Sequence, residues 1–405
     1  MKFRSLIYVI AGTLLLLAQA APATAGPQLT FGPDDEGVLQ IDYKSQFRML
    51  VSDSGSGPDG GDTTMNMNFR RNRLAFMGAY GDIMSIYVQT EYGQNMNIGP
   101  LGVADSDQGS NFQMLDAVIR FNLDERFKLN VGKFKYNLSR ENLEGCEVPL
   151  NLDRSDFIRT SLVATRDQGI AAWGNLADGL FQYRLDVMEG RNAVSGAVAP
   201  ASNFRYAARI HFSLLDPETA YGYKGTYRGQ KKVLTIGGAV ETEPDVVYAD
   251  VAALTGEKDY NAYTFDVFFE YPVGEGGAFT LSGAYENIDF DDAYKGLHPD
   301  PGTVGLSGQK NGWYIKSGFM PSGSKVQLFG RYESWNFAML KNVCDQQIDW
   351  YGFGANYFFP DDKLKLTVQY SSTTFDKKGV FDGMQGTGLV TDDFGTFVTQ
   401  LQLVF

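Results

Sequence analysis

Two cysteines and two histidines in 405 residues leave little material for redox, metal or acid–base chemistry. Cys146 and Cys344 are too few and too far apart for a haem-attachment C-x-x-C-H or a zinc cluster. His211 and His298 stand near no G-x-S-x-G, and there is no H-E-x-x-H. No catalytic group, metal or cofactor is therefore expected. Beyond the amino terminus no run reaches the roughly 18 consecutive apolar residues of a membrane helix. Basic residues are also in deficit, 35 against 48 acidic, for a formal charge of -13. So acidic a chain is not a binder of nucleic acid or of anionic lipid.

The first residues do carry a message. Met1-Lys2-Phe3-Arg4 is basic, the run from Leu6 to about Ala18 is apolar, and Ala23-Thr24-Ala25 precedes Gly26. That is the pattern of a secretory signal peptide, residues 1–25, with cleavage expected after Ala25. Losing Lys2 and Arg4 takes the charge from -13 to -15. In an oxidising compartment Cys146 and Cys344 either pair or both stay free, and the reading leans to a disulfide. An exported chain without membrane helices spans a membrane only as a closed barrel.

Composition agrees with that route. Aromatics make up 14%, glycines number 46, and hydrophobics reach only 43% with mean hydropathy -0.22. Apolar residues spread in alternation along strands give such an average. Leu39, Ile41, Tyr43, Phe47 and Met49 share one parity, and Gln40, Asp42, Lys44, Gln46 and Arg48 the other. The pattern recurs at 68–80, 115–131, 181–187, 204–212 and 395–405, with short turns such as Gly81-Asp82 and long polar loops such as 94–111 in alternation. The expectation is an all-β, transmembrane antiparallel β-barrel of about sixteen strands over residues 26–405. Between Glu144 and Asp167 no strand is legible, and a stretch that long is expected to be functional, here by folding inward to narrow a channel.

The polar parity should line the lumen. It carries Arg48, Arg71, Arg73, Arg120, Lys128, Arg184, Arg205, Arg209 and Arg331, opposed by carboxylates such as Glu91, Asp116, Asp186, Asp266, Glu286 and Glu333. Arginine and lysine in a pore lower the barrier to anions by replacing hydration with charge-assisted hydrogen bonds. The alternative for any one of them is a cross-strand brace against a lumen carboxylate. For Arg71, Arg73 and Arg120, with few nearby carboxylates, facing the solute and bracing the wall stand as equal alternatives. The remaining negative charge should sit in loops such as Asp289–Asp292.

The closing segment ends on Phe405 and resembles the last strand of bacterial outer-membrane barrels, where a terminal Phe is part of the assembly signal. Several internal stretches resemble the phosphate-selective porins O and P. These are Phe69-Arg70-Arg71-Asn72-Arg73-Leu74, Val131-Gly132-Lys133-Phe134-Lys135 with Ser139-Arg140-Glu141-Asn142-Leu143, Arg166-Asp167-Gln168-Gly169-Ile170, and Leu185-Asp186-Val187-Met188-Glu189-Gly190-Arg191-Asn192. Arg331-Tyr332-Glu333 and Gly354-Ala355-Asn356-Tyr357 are weaker echoes. The resemblance implies a homotrimer of sixteen-stranded barrels in the outer-membrane lipid, passing small hydrophilic solutes with a preference for small anions, phosphate-like oxyanions among them. A second reading is a structural or electron-transfer-supporting outer-membrane barrel associated with multihaem cytochromes, as a sleeve around them or an indirect helper. The two differ in the lumen, since a sleeve needs an open bore.

Overall fold

The computed structural model describes residues 26–57, 61–92, 112–155, 158, 165–191, 199–306, 308–340, 344–359, 363–378 and 392–405. The expected signal peptide lies outside the described residues.

Seventeen strands follow one another: β1 (Gln28–Phe31), β2 (Gly37–Ser56), β3 (Asp62–Tyr80), β4 (Met84–Tyr92), β5 (Phe112–Asp124), β6 (Phe127–Phe134), β7 (Asp167–Leu176), β8 (Phe181–Met188), β9 (Arg205–Ser213), β10 (Val233–Asp250), β11 (Thr255–Pro272), β12 (Gly277–Asp289), β13 (Lys310–Pro321), β14 (Val326–Leu340), β15 (Cys344–Phe358), β16 (Leu364–Phe375) and β17 (Phe394–Val404). From β2 onward each pairs antiparallel with the next, and β17 pairs back onto β2. Sixteen strands thus close a barrel. The short β1 pairs with β2 through Leu29↔Leu39 and its neighbours, continuing the seam beyond the end of β17. At that seam Phe405 and Tyr43 exchange two backbone hydrogen bonds of 2.8 Å. Closure leaves no edge, which is what a sheet needs to lie in hydrocarbon.

Burial is inverted relative to a water-soluble domain. Phe353 is 59% exposed, Phe265 56% and Leu185 55%, whereas Arg48, Arg184 and Arg209 are each 1% exposed. Period-two alternation sends one parity to lipid and the other to the lumen. Tyr263 with Tyr285, and Trp313 with Tyr332, form aromatic pairs on the outer wall.

Short turns close most of one end, which also carries Gly26, the first described residue, and Phe405. Most of the long connections lie at the other. In outer-membrane barrels these ends are periplasmic and extracellular respectively. One connection breaks the rhythm. Between β9 and β10, at the short-turn end, the connection 214–232 is long, and it turns into the barrel. Alternation alone had no means of placing it there.

Phe405 fixes the end of the seam, so its removal deletes both hydrogen bonds to Tyr43. The expected outcome is a lower yield of assembled barrel, read as loss of the heat-modifiable gel form in outer-membrane fractions. Wild-type assembly of the truncated chain would refute this role.

A constriction built from two inward segments

The connection between β6 and β7 enters the lumen from the extracellular end. It begins at Lys135, earlier than the sequence pattern placed it, and includes a short helix α1 (Arg140–Leu143). Ser139 caps α1 by accepting from the Asn142 N–H. Under the extracellular mouth Phe134, Tyr136 and Leu138 pack with Tyr260, Ile288 and Phe290 in one apolar cluster. A second joins Ile158 to Trp335, Ile348 and Trp350. The inward face of the wall is apolar there, not polar.

Deeper in, the buried backbone of this segment is satisfied by side chains of the wall. Gln46 Nε2 donates to the Cys146 carbonyl (2.9 Å), Gln402 Nε2 to that of Glu147 (2.8 Å) and Asn356 Nδ2 to that of Leu150 (2.8 Å). Gln369 Oε1 accepts from the Leu152 N–H (3.2 Å). An unpaired peptide group buried here would cost about 1–3 kcal/mol. The polar parity of the wall is therefore used as much to grip the segment as to face solute.

The 214–232 segment meets it from the periplasmic side. Glu144 and Tyr223 form a parallel bridge, with Gly145 N–H to Tyr223 O at 3.1 Å and Tyr223 N–H to Leu143 O at 3.2 Å. Gly225 N–H donates to Val148 O at 3.0 Å. A Cβ on Gly225 would stand 2.6 Å from Leu150 N, so only glycine permits this approach. Arg140 joins the two segments through a forked pair to Glu218 (2.7 and 2.8 Å) and stacks over Phe268 and Tyr223.

The basic residues of the wall divide by partner. Arg48 Nη2, Arg70 Nε and Arg71 Nη2 all reach the Asp153 carboxylate, at 2.9, 3.1 and 2.9 Å. Gln400 accepts from Arg48 Nε at 2.5 Å, and Gln46 from Arg71 Nη1 at 2.7 Å. Arg73 pairs with Glu91 (2.6 Å) and donates to the Cys146 sulfur (2.7 Å). Arg205 pairs with Asp167, Arg209 is forked onto Asp266, and Arg331 pairs with Glu333 and stacks on Trp350. These three brace the wall. Arg184 bonds Asn137 and Gln182 and lies over Tyr221, covered by the periplasmic segment. Lys128 sits near a periplasmic turn, paired to Glu125 and over Trp173. Arg120 lies over the Tyr87 ring, and no described carboxylate pairs with it.

Several expectations are corrected here. Arg71 and Arg73 do have carboxylate partners; Asp153 arrives from a segment some eighty residues downstream, and Glu91 sits on the adjacent strand, cross-paired to Arg73. Cys146 is a buried free thiol bonded to Arg73, not half of a disulfide; the side chain of Cys344 lies outside the described residues. Arg70, not among the candidates read from the sequence, also points inward. The register slips between Gln46↔Arg71 and Phe47↔Phe69, so Arg70 is the extra residue of a β-bulge and joins Arg71 in the lumen. Two adjacent arginines in an apolar-alternating strand were the visible sign.

Electrostatics hold both segments in place. Burial opposes charge on Glu147, but Lys44 at 3.1 Å outweighs it and brings the carboxyl down to about 2. Burial likewise opposes charge on Glu218, and Arg140 with the Tyr227 and Thr235 hydroxyls brings it to about 2. Asp153 is held well below the usual carboxylate range by Arg71, Arg70 and Arg48, against its burial.

A closed antiparallel barrel with a lipid-facing apolar wall and a lumen narrowed by inward segments defines an outer-membrane porin, a diffusion channel. The sequence pattern of the phosphate-selective porin O and P family matches residues 42–405, and the chain belongs to that family. A comparison with curated protein sequences gave no match. Among solved structures the chain is similar to an anion-selective porin from Comamonas acidovorans (10% identity, TM-score 0.58, 91% of this chain and 100% of that one). It is also similar to the outer membrane channel DcaP of Acinetobacter baumannii (13%, 0.57, 94% and 100%). A third is the outer membrane protein OmpT of Vibrio cholerae in a trimer form (10%, 0.51, 91% and 99%). At these identities the likeness is one of fold.

Two outcomes follow from this geometry. Glu147 and Glu218 have folded values below the ordinary 4.5, so their anchoring is complete above about pH 4.5 and is lost as pH falls toward 2. Single-channel conductance should stay level from neutral pH to near 4.5 and rise below it; a rise already at pH 6 would contradict the assignment. Gly225→Val should part the two segments and increase conductance in an otherwise normal barrel. Unchanged conductance would show that their contact does not set the bore.

Proposed function

We propose that this porin forms a homotrimer and passes small hydrophilic solutes by passive diffusion, with a preference for oxyanions such as phosphate. The observation that carries the reading is the convergence of Arg48, Arg70 and Arg71 in the constriction, on strands that the barrel holds rigid. Guanidinium groups present fixed pairs of donors matched to carboxylate and phosphate oxygens, and they keep their charge at any working pH. Family membership and the anion selectivity named for the Comamonas neighbour support the preference. The trimer form of the Vibrio neighbour supports the assembly. The acidic composition does not oppose it, because carboxylates such as Asp250, Asp291, Asp292, Asp392 and Asp393 lie in or beside extracellular connections rather than at the constriction. A sleeve around a multihaem cytochrome needs an open bore, and two segments cross this one.

The double variant Arg48→Gln with Arg71→Gln tests the reading. The zero-current potential across a planar bilayer under a KCl gradient should shift toward cation preference by several-fold in permeability ratio. An unshifted potential would remove these arginines from the selectivity mechanism.

A further inference from the structure

The Asp153 carboxylate is bound as a ligand would be. Its Oδ1 accepts from Arg71 Nη2 (2.9 Å) and from the Arg154 N–H (3.0 Å). Its Oδ2 accepts from Arg48 Nη2 (2.9 Å), Arg70 Nε (3.1 Å) and, more weakly, Arg71 Nη1 (3.4 Å). Arg71 thus makes the forked contact typical of a captured carboxylate. The donors belong to β2 and β3 of the wall, whereas the carboxylate comes from the inward segment. Two further donors in the same cluster, Arg71 Nε and Gln400 Nε2, have no partner among the described residues, and both side chains are at most 2% exposed. Donors that one carboxylate leaves unused are a feature of an anion site larger than its occupant.

We propose that Asp153 is a tethered stand-in for the permeant ion, and that a small organic carboxylate entering the constriction takes its place on Arg48, Arg70 and Arg71. This rests on the anion-channel reading above and deepens it, naming a carboxylate class and an internal competitor. Competition of this kind gives a pore a weak net affinity for its solute. Binding must be favourable enough for entry and weak enough for exit, and a competitor of the same chemistry sets that balance. No covalent step is involved. Displacement frees the Arg154 N–H and loosens the inward segment next to it.

The experiment is block of chloride current by acetate and, separately, by inorganic phosphate, in planar bilayers holding the full mature protein. Asp153→Asn keeps the shape and removes the competing charge, so the acetate concentration for half-block should fall at least tenfold. Ser155→Ala is the control. It releases the neighbouring Ser155 Oγ contact to Glu333 (2.5 Å) and leaves Asp153 untouched, so it should leave acetate block as in wild type. An unchanged or higher half-blocking concentration in Asp153→Asn overturns the proposal. So does an equal effect in Ser155→Ala, which would report only a loosened segment, and so does a gain for phosphate without one for acetate. A wild-type zero-current potential showing cation preference would instead sink the anion-channel reading itself. A second measurement needs no variant: saturating acetate should speed amide hydrogen exchange at Arg154 in the wild-type barrel, whereas the Ser155 N–H, held by Glu141 (3.1 Å), should be little changed. Unaltered exchange at Arg154 in saturating acetate would also overturn it.

Discussion

Backbone groups that face hydrocarbon have to pair within the sheet, and the rest of this architecture follows from that constraint. A sheet in lipid has to close, and here β17 closes it onto β2 with Phe405 and Tyr43 completing the seam. Closure fixes the alternation, because each strand then has one wall in lipid and one in the lumen. Apolar side chains such as Phe265 and Phe353 take the outer wall, and the polar parity has nowhere to go but inward.

An inward polar wall can serve two purposes, and this protein divides it between them. Amides from Gln46, Asn356, Gln369 and Gln402 hold the buried backbone of the extracellular segment. Arginines Arg205, Arg209 and Arg331 pair with carboxylates of their own or neighbouring elements and stiffen the barrel. What remains for solute is concentrated on β2 and β3, where a bulge brings Arg70 beside Arg71 and both reach Asp153. On the proposed function, selectivity has a local origin, in a lumen whose charges are otherwise largely matched.

The narrowing of the bore is a joint product of both membrane faces. The extracellular segment supplies Glu144 and Asp153, the periplasmic one Glu218 and Tyr223, and Arg140 ties them together. Their backbones pair as short strands do, and Gly225 gives the close approach. The two pieces are held by different pairs, one through Glu147 to Lys44 and the other through Glu218 to Arg140. The pH-sensitive anchors, Glu147 and Glu218, sit one on each piece.

The sequence by itself determined the strand pattern, the sixteen-stranded closed barrel and membership of the porin family. These depend on local alternation, chain-end chemistry and ordered motifs, all of which are written in one dimension. It also marked eight wall arginines and one lysine, on the polar parity, as candidates for the lumen. Tertiary structure alone decided which partner each of them takes. Partner choice depends on residues far apart in the chain, as with Asp153 and Arg71, or on a register slip invisible to alternation, as with Arg70. The inward turn of 214–232 was equally illegible. Its length and composition resemble any surface loop, and only the glycine, tyrosine and glutamate contacts inside the barrel give it a place. The fate of Cys146 followed the same rule: a thiol held against Arg73 inside the barrel is set by packing, not by cysteine count.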